Sequence, residues 1–106
     1  MSDRRRPVAA SRSGRPIMVL LDLLGQRWTL RILWELRDGP LTFRALRDAC
    51  DGVSPTVLSN RLAELRDAGL VDHEEGAGYR LTEMGTSLGA RLLHLSRWAE
   101  EWADER

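Results

Sequence analysis

The 106-residue sequence contains no lysine, and all 16 of its basic residues are arginine. A compositional bias toward arginine accounts for that by itself. It also means that any cationic contact is made by a planar fork, which matches phosphate and guanine better than an ammonium does. A single cysteine, Cys50, excludes an internal disulfide framework and fits a reducing cytoplasm, where the chain is expected to reside. No apolar run approaches the roughly 20 residues that a membrane helix requires. The longest candidate, Ile17 to Leu24, is interrupted by Asp22 and stopped by Gly25. The arginines near the start are followed by no apolar segment or small-residue cleavage site, so no secretory signal is expected. Acid–base pairs, nucleophile motifs and phosphate loops are also missing. His73, His94 and Cys50 do not have metal-ligand spacing. Neither an enzyme nor a metal or other cofactor is expected.

The composition that remains, 42% hydrophobic and 30% charged, is that of one globular domain. The net charge of zero conceals a division. Through Arg66 there are 12 arginines against 7 acidic residues, a balance of +5; from Asp67 onward there are 4 against 9, a balance of −5. One basic face for a polyanion is the reading that such a split supports.

Residues 1 to 15 have no apolar period and read as a flexible basic tail. Arg4, Arg5 and Arg6 are there a solvated run or, alternatively, an arm into a DNA groove. Residues 16 to 106 read as a single domain. Pro16 starts a helix carrying Ile17, Leu20, Leu21 and Leu24, and Gly25 ends it. A second helix is expected over Trp28 to Arg37, burying Leu30, Leu33, Trp34 and Leu36, with Asp38-Gly39-Pro40 as its stop. Thr42 is placed to cap a third helix, Phe43 to Ala49, that buries Phe43, Leu46 and Cys50. After the turn Asp51-Gly52-Val53, Ser54 and Pro55 open a fourth helix, whose buried face is Leu58, Leu62 and Leu65 and whose end is Gly69. Two short strands, Leu70 to Glu74 and Tyr79 to Thr82, flank Glu75-Gly76-Ala77-Gly78 as a hairpin. A long helix then runs over about 82 to 104. The fold class is mainly α with a small β-hairpin (α+β): a winged helix-turn-helix with N- and C-terminal dimerisation helices.

In such folds the second helix of the helix-turn-helix enters the major groove. The fourth helix presents Thr56, Ser59, Asn60, Arg61 and Glu64 away from its leucines. Hydroxyls and guanidinium bond phosphates or bases, Asn can pair two-pronged with adenine, and the helix start at Ser54 and Pro55 favours an anion. Thr42, Arg44 and Arg47 on the third helix are candidates for the DNA backbone. Gly78 and Arg80 would bring the wing to the backbone or minor groove, unless Arg80 pairs with Glu74 or Glu75. The bland alternative throughout is a solvated polar face on a helical bundle.

The last helix carries Leu88, Leu92, Leu95, Ala99 and Trp102 at four-three-four-three spacing, widened by Trp98 and Leu93. At about 33 Å it exceeds what so small a domain can cover. The surplus is expected to meet a second copy, together with the first helix. A dimer predicts a palindromic operator on double-stranded DNA.

The elements Gly25-x-Arg-Trp-Thr29, Asp38-Gly-Pro40, Phe43-x-x-Leu46, Val53-Ser-x-x-x-Leu-x-x-Arg-Leu62 and Leu81-Thr-x-x-Gly85 resemble those of the HxlR family of bacterial winged-helix regulators over about residues 16 to 103. The resemblance implies a dimer joined through the first and last helices, a DNA-binding core, and repression or activation of nearby genes. Some family members sense electrophiles or oxidants through a Cys-Pro pair just before the first helix; here that pair is Arg15-Pro16. The family's Pro-rich wing segment is reduced to Gly78-Tyr79, so a short wing is expected. Cys50 reads as a small core residue, with redox sensing as the alternative. A small apolar effector between Trp98, Trp102 and the first helix is a further candidate. The competing function class is a winged-helix interaction or dimerisation module without specific DNA binding, working through its acidic half.

Overall fold

A computed structural model of the chain describes residues 14–106, so Arg4, Arg5, Arg6 and most of the expected tail lie outside the described residues. Five helices and one hairpin follow in order: α1 Pro16–Leu24, α2 Thr29–Glu35, α3 Phe43–Ala49, α4 Pro55–Asp67, β1 Val71–Glu74, β2 Gly78–Leu81 and α5 Glu83–Glu105. Three helices start on a hydroxyl that accepts an otherwise orphaned backbone N–H. Thr42 takes Ala45 N at 3.1 Å, Ser54 takes Val57 N at 3.1 Å, and Thr82 takes Gly85 N at 3.0 Å. Each such cap contributes about 1 kcal/mol. The end of α4 is closed by Leu70 N to Leu65 O and Gly69 N to Arg66 O, both 3.0 Å, the paired bonds of a Schellman cap.

The core gathers one face from each of the first four helices, with Leu23 of α1, Ile32 and Leu33 of α2, Leu46 of α3, and the expected Leu58, Leu62 and Leu65 of α4. Burying each contributes about 1.5–3 kcal/mol. The second helix corrects the sequence reading. Its buried face is Thr29, Ile32, Leu33 and Leu36; Leu30 is 40% exposed and Trp34 only half-buried. Several apolar residues crowd this short helix, and periodicity alone does not say which set faces inward. In α1 the fully buried residue is Leu23, while Ile17 and Leu21 stay exposed.

The strands pair antiparallel, Val71 with Leu81 through Glu74 with Gly78. Leu41, in the link before α3, adds a third rung: its N–H donates to Tyr79 O at 2.9 Å and its carbonyl accepts Tyr79 N–H at 2.8 Å. The hairpin is thereby tied to the start of α3. Gly78 is what permits the approach. It is buried with φ +101°, and a Cβ there would collide with the Leu41 carbonyl oxygen. Below the hairpin, the Thr82 hydroxyl donates to Gly69 O at 2.6 Å, and Gly85 packs directly on the Leu70 carbonyl. These contacts set the angle at which α5 leaves the sheet.

Candidate nucleic-acid interface

α3, the turn at Asp51–Gly52 and α4 form the helix-turn-helix, held together by the buried Cys50 and Val53 at their junction. Pro55, Thr56, Ser59 and Asn60 are exposed at the N-terminal end of α4, on the side away from Leu58, Leu62 and Leu65. Ser54 and Thr42 are exposed too, with their oxygens already accepting a capping N–H; each hydroxyl hydrogen is still available to an anion. Arg44 and Arg47 project from α3 into solvent. The positive end of the α4 dipole and this set of donors suit phosphate and base edges.

Arg61 and Glu64 do not point outward as the sequence reading had them. Arg61 Nε donates to the carbonyl of Arg27 at 2.8 Å, and its Nη1 lies 3.4 Å from the Glu64 carboxylate. The Arg61 side chain is only 17% exposed. With about 100° between successive residues, position 61 falls on the flank of the leucine stripe, where a neighbouring turn can capture it. In the wing, Gly78, expected to meet DNA, is buried and packs closely on Leu41 and Thr42. Arg80 is exposed and pairs across the hairpin with Glu74, Nη1 to Oε1 at 2.7 Å. Both side chains are about half exposed, so the pair is weak and can exchange for another anion.

A second surface runs along α5. Met84, Leu95, Trp98 and Trp102 are about half exposed, Leu88, Leu92 and Ala99 are partly covered, and the indoles of Trp98 and Trp102 stack at 6.1 Å. On α1, Leu20 and Leu24 are partly covered, whereas Ile17 and Leu21 are bare. Leu93 does not widen this stripe; it faces a separate hollow beside Arg37, Asp38 and Leu81. An apolar cleft of about 320 Å³ opens between α2 and α5, lined by Leu30, Arg31, Trp34, Leu92, Leu95, Ser96 and Ala99. Trp98 and Trp102, expected to line an effector pocket, stack on one another and are not among the residues that line this cleft.

Cys50 is fully buried, and burial pushes its thiol above the ordinary range although Arg31 nearby acts in the opposite sense. A thiol so placed has little thiolate with which to react. His73 packs on Tyr79 across the hairpin, ring centroids 4.5 Å apart. Among the described residues no group of side chains could hold a metal ion, and no helix is long and apolar enough to cross a membrane. Sequence reasoning did not find the bond from Arg61 to the turn before α2. The signal available was the Gly25-x-Arg-Trp-Thr29 run, whose Trp28 takes a left-handed φ of +81°.

The model of the HxlR-like helix-turn-helix family matches residues 23–106. The HTH-type transcriptional regulator YvaP of Bacillus subtilis is 34% identical over 90 residues, covering 79% of this chain and 83% of that protein. The structure of quinone-bound YodB from B. subtilis superposes with a TM-score of 0.74 at 34% identity, covering 82% of this chain and 98% of that one. A structure described as a possible HxlR family transcriptional factor from Thermoplasma volcanium gives 0.75 at 32%, with 85% and 86% covered.

Proposed function

The chain belongs to the HxlR-like helix-turn-helix family of DNA-binding transcriptional regulators, which are not enzymes, and from that premise we propose that it acts as a homodimeric repressor on a palindromic operator. The observation that carries the dimer is the bare apolar stripe of α5, together with the exposed Ile17 and Leu21 of α1. Trp98 at 57% exposed and Trp102 at 49% are large apolar surfaces that a second copy would cover. In this reading the N-terminal half of α4 enters the major groove. Asn60 reads a base edge, Thr56 and Ser59 contact bases or phosphates, and Ser54 and Pro55 bring the helix start to the backbone. Thr42 and Arg44 grip the flanking phosphates, while Arg80 leaves Glu74 for the phosphate beside the wing. A repressor so built acts by occupying its operator. Selection of bound fragments from random duplex DNA by the purified protein tests this reading. A two-fold symmetric motif is expected, and recovery of no motif at low salt would overturn it.

A small apolar or aromatic effector is the second reading, favoured by the cleft between α2 and α5. A neighbour of the same fold is a quinone-bound protein. Binding there would touch Trp34, so quenching of tryptophan fluorescence by a panel of small aromatic compounds is expected. Unchanged emission across the panel would count against it.

A further inference from the structure

The acceptor of the Arg61 bond lies on the far side of the helix-turn-helix, in the turn between α1 and α2. That turn ends at Trp28, whose left-handed backbone costs a bulky residue about 1–2 kcal/mol and must be held from outside. Two contacts hold it. The Trp28 indole reaches the α3–α4 turn, where a Cβ on Gly52 would lie 3.9 Å from its Cη2. The Arg27 carbonyl receives the Arg61 Nε–H at 2.8 Å, with Glu64 at 3.4 Å steadying the same guanidinium. Arg27 also places its own guanidinium 5.6 Å from the centre of the Trp28 ring.

We infer that Arg61 is a positioning residue for DNA recognition and not itself a DNA contact: its Nε–H fixes α4 against the α1–α2 turn and so sets how the exposed start of α4 is presented. The inference rests on the DNA-binding reading above. It also joins the recognition helix to the helix that carries Ile17 and Leu21.

The chemistry of the side chain makes this testable. Gln has its amide nitrogen as many bonds from the backbone as Arg has Nε, but no charge. Lys keeps the charge and places its donor one atom farther out. Binding is measured against salt, on a duplex recovered by selection with the wild-type chain. Arg61→Ala should weaken binding about tenfold or more, as loss of one charge-assisted hydrogen bond would. Arg61→Gln should bind within about threefold of wild type, less than half a decade of affinity. Arg61→Lys should resemble the alanine variant, and the salt dependence should be the same for all four proteins. A salt slope reduced by about one in Arg61→Ala and Arg61→Gln, with rescue by Arg61→Lys, would mark a phosphate contact and overturn the inference. So would wild-type affinity in Arg61→Ala. If the alanine variant does not fold, the glutamine and lysine variants carry the same contrast.

Amide hydrogen exchange over residues 26–32 reads the link without DNA. It should accelerate in Arg61→Ala and recover in Arg61→Gln; no change would overturn the link. If the wild-type chain binds no duplex, the DNA reading falls and takes the recognition role with it, while exchange still reports whether the bond holds the turn.

Discussion

Cys50 illustrates how burial outweighs a nearby charge in deciding a residue's chemistry. Its side chain is sealed in the core beside the C-terminal end of α3, and burial raises its pKa. As pH rises through the ordinary thiol range, the unfolded chain releases the Cys50 proton while the native state keeps it. The native state then binds more protons, so its stability falls with rising pH. The urea midpoint of the wild-type chain should therefore drop more than that of Cys50→Ala between neutral pH and about pH 10. Parallel midpoints for the two proteins would show that the thiol is not buried as described. Arg61 and Gly78 illustrate the complementary point. Residue type and position point to both as DNA contacts, and both have neighbours elsewhere: Arg61 the Arg27 carbonyl, Gly78 the close approach of Leu41.

At the level of elements, α5 is the one whose two jobs are separable. Its first turns are locked to the link between α4 and β1 by Thr82 and Gly85, and Leu88 and Leu92 lie partly covered against the core. Beyond them the stripe of Leu95, Trp98 and Trp102 stays open along a helix of 23 residues. Charges placed on that open part should strike assembly and leave the fold of one chain intact. Trp98→Glu combined with Trp102→Glu is expected to sediment as a monomer with its helical circular dichroism retained. A double variant that still sediments as a dimer would move the interface elsewhere.

For the whole molecule, the division of charge is uneven. Residues 1–13, outside the described residues, contribute +3 of the +5 carried through Arg66, whereas α3 and its turn balance Arg44 and Arg47 against Asp48 and Asp51, and α5 carries five acidic residues against two arginines. The proposed DNA-facing end is therefore polar and nearly neutral, and the proposed dimer stripe lies on the acidic helix. Two copies joined along α5 would present two α4 helices to one side of a duplex. The selected motif is then expected to have half-sites about 34–36 Å apart, one turn of DNA.

Much of this was legible in the sequence because its signals are local. The hydroxyl caps at Thr42, Ser54 and Thr82, Pro16 and Pro55 at helix starts, and the four-three spacing of Leu58, Leu62 and Leu65 depend only on residues within a turn or two. These set the order and type of every element, and strand limits shifted by a single residue. The tertiary structure decided what lies on the flanks of those elements. Ile32 in place of Leu30, Leu93 in its separate hollow and Arg61 on the Arg27 carbonyl each turn on which neighbour is nearby in space. A helical period gives the direction of a side chain but not what waits there, and a flank position such as 61 can face solvent or a neighbouring backbone with the same local sequence.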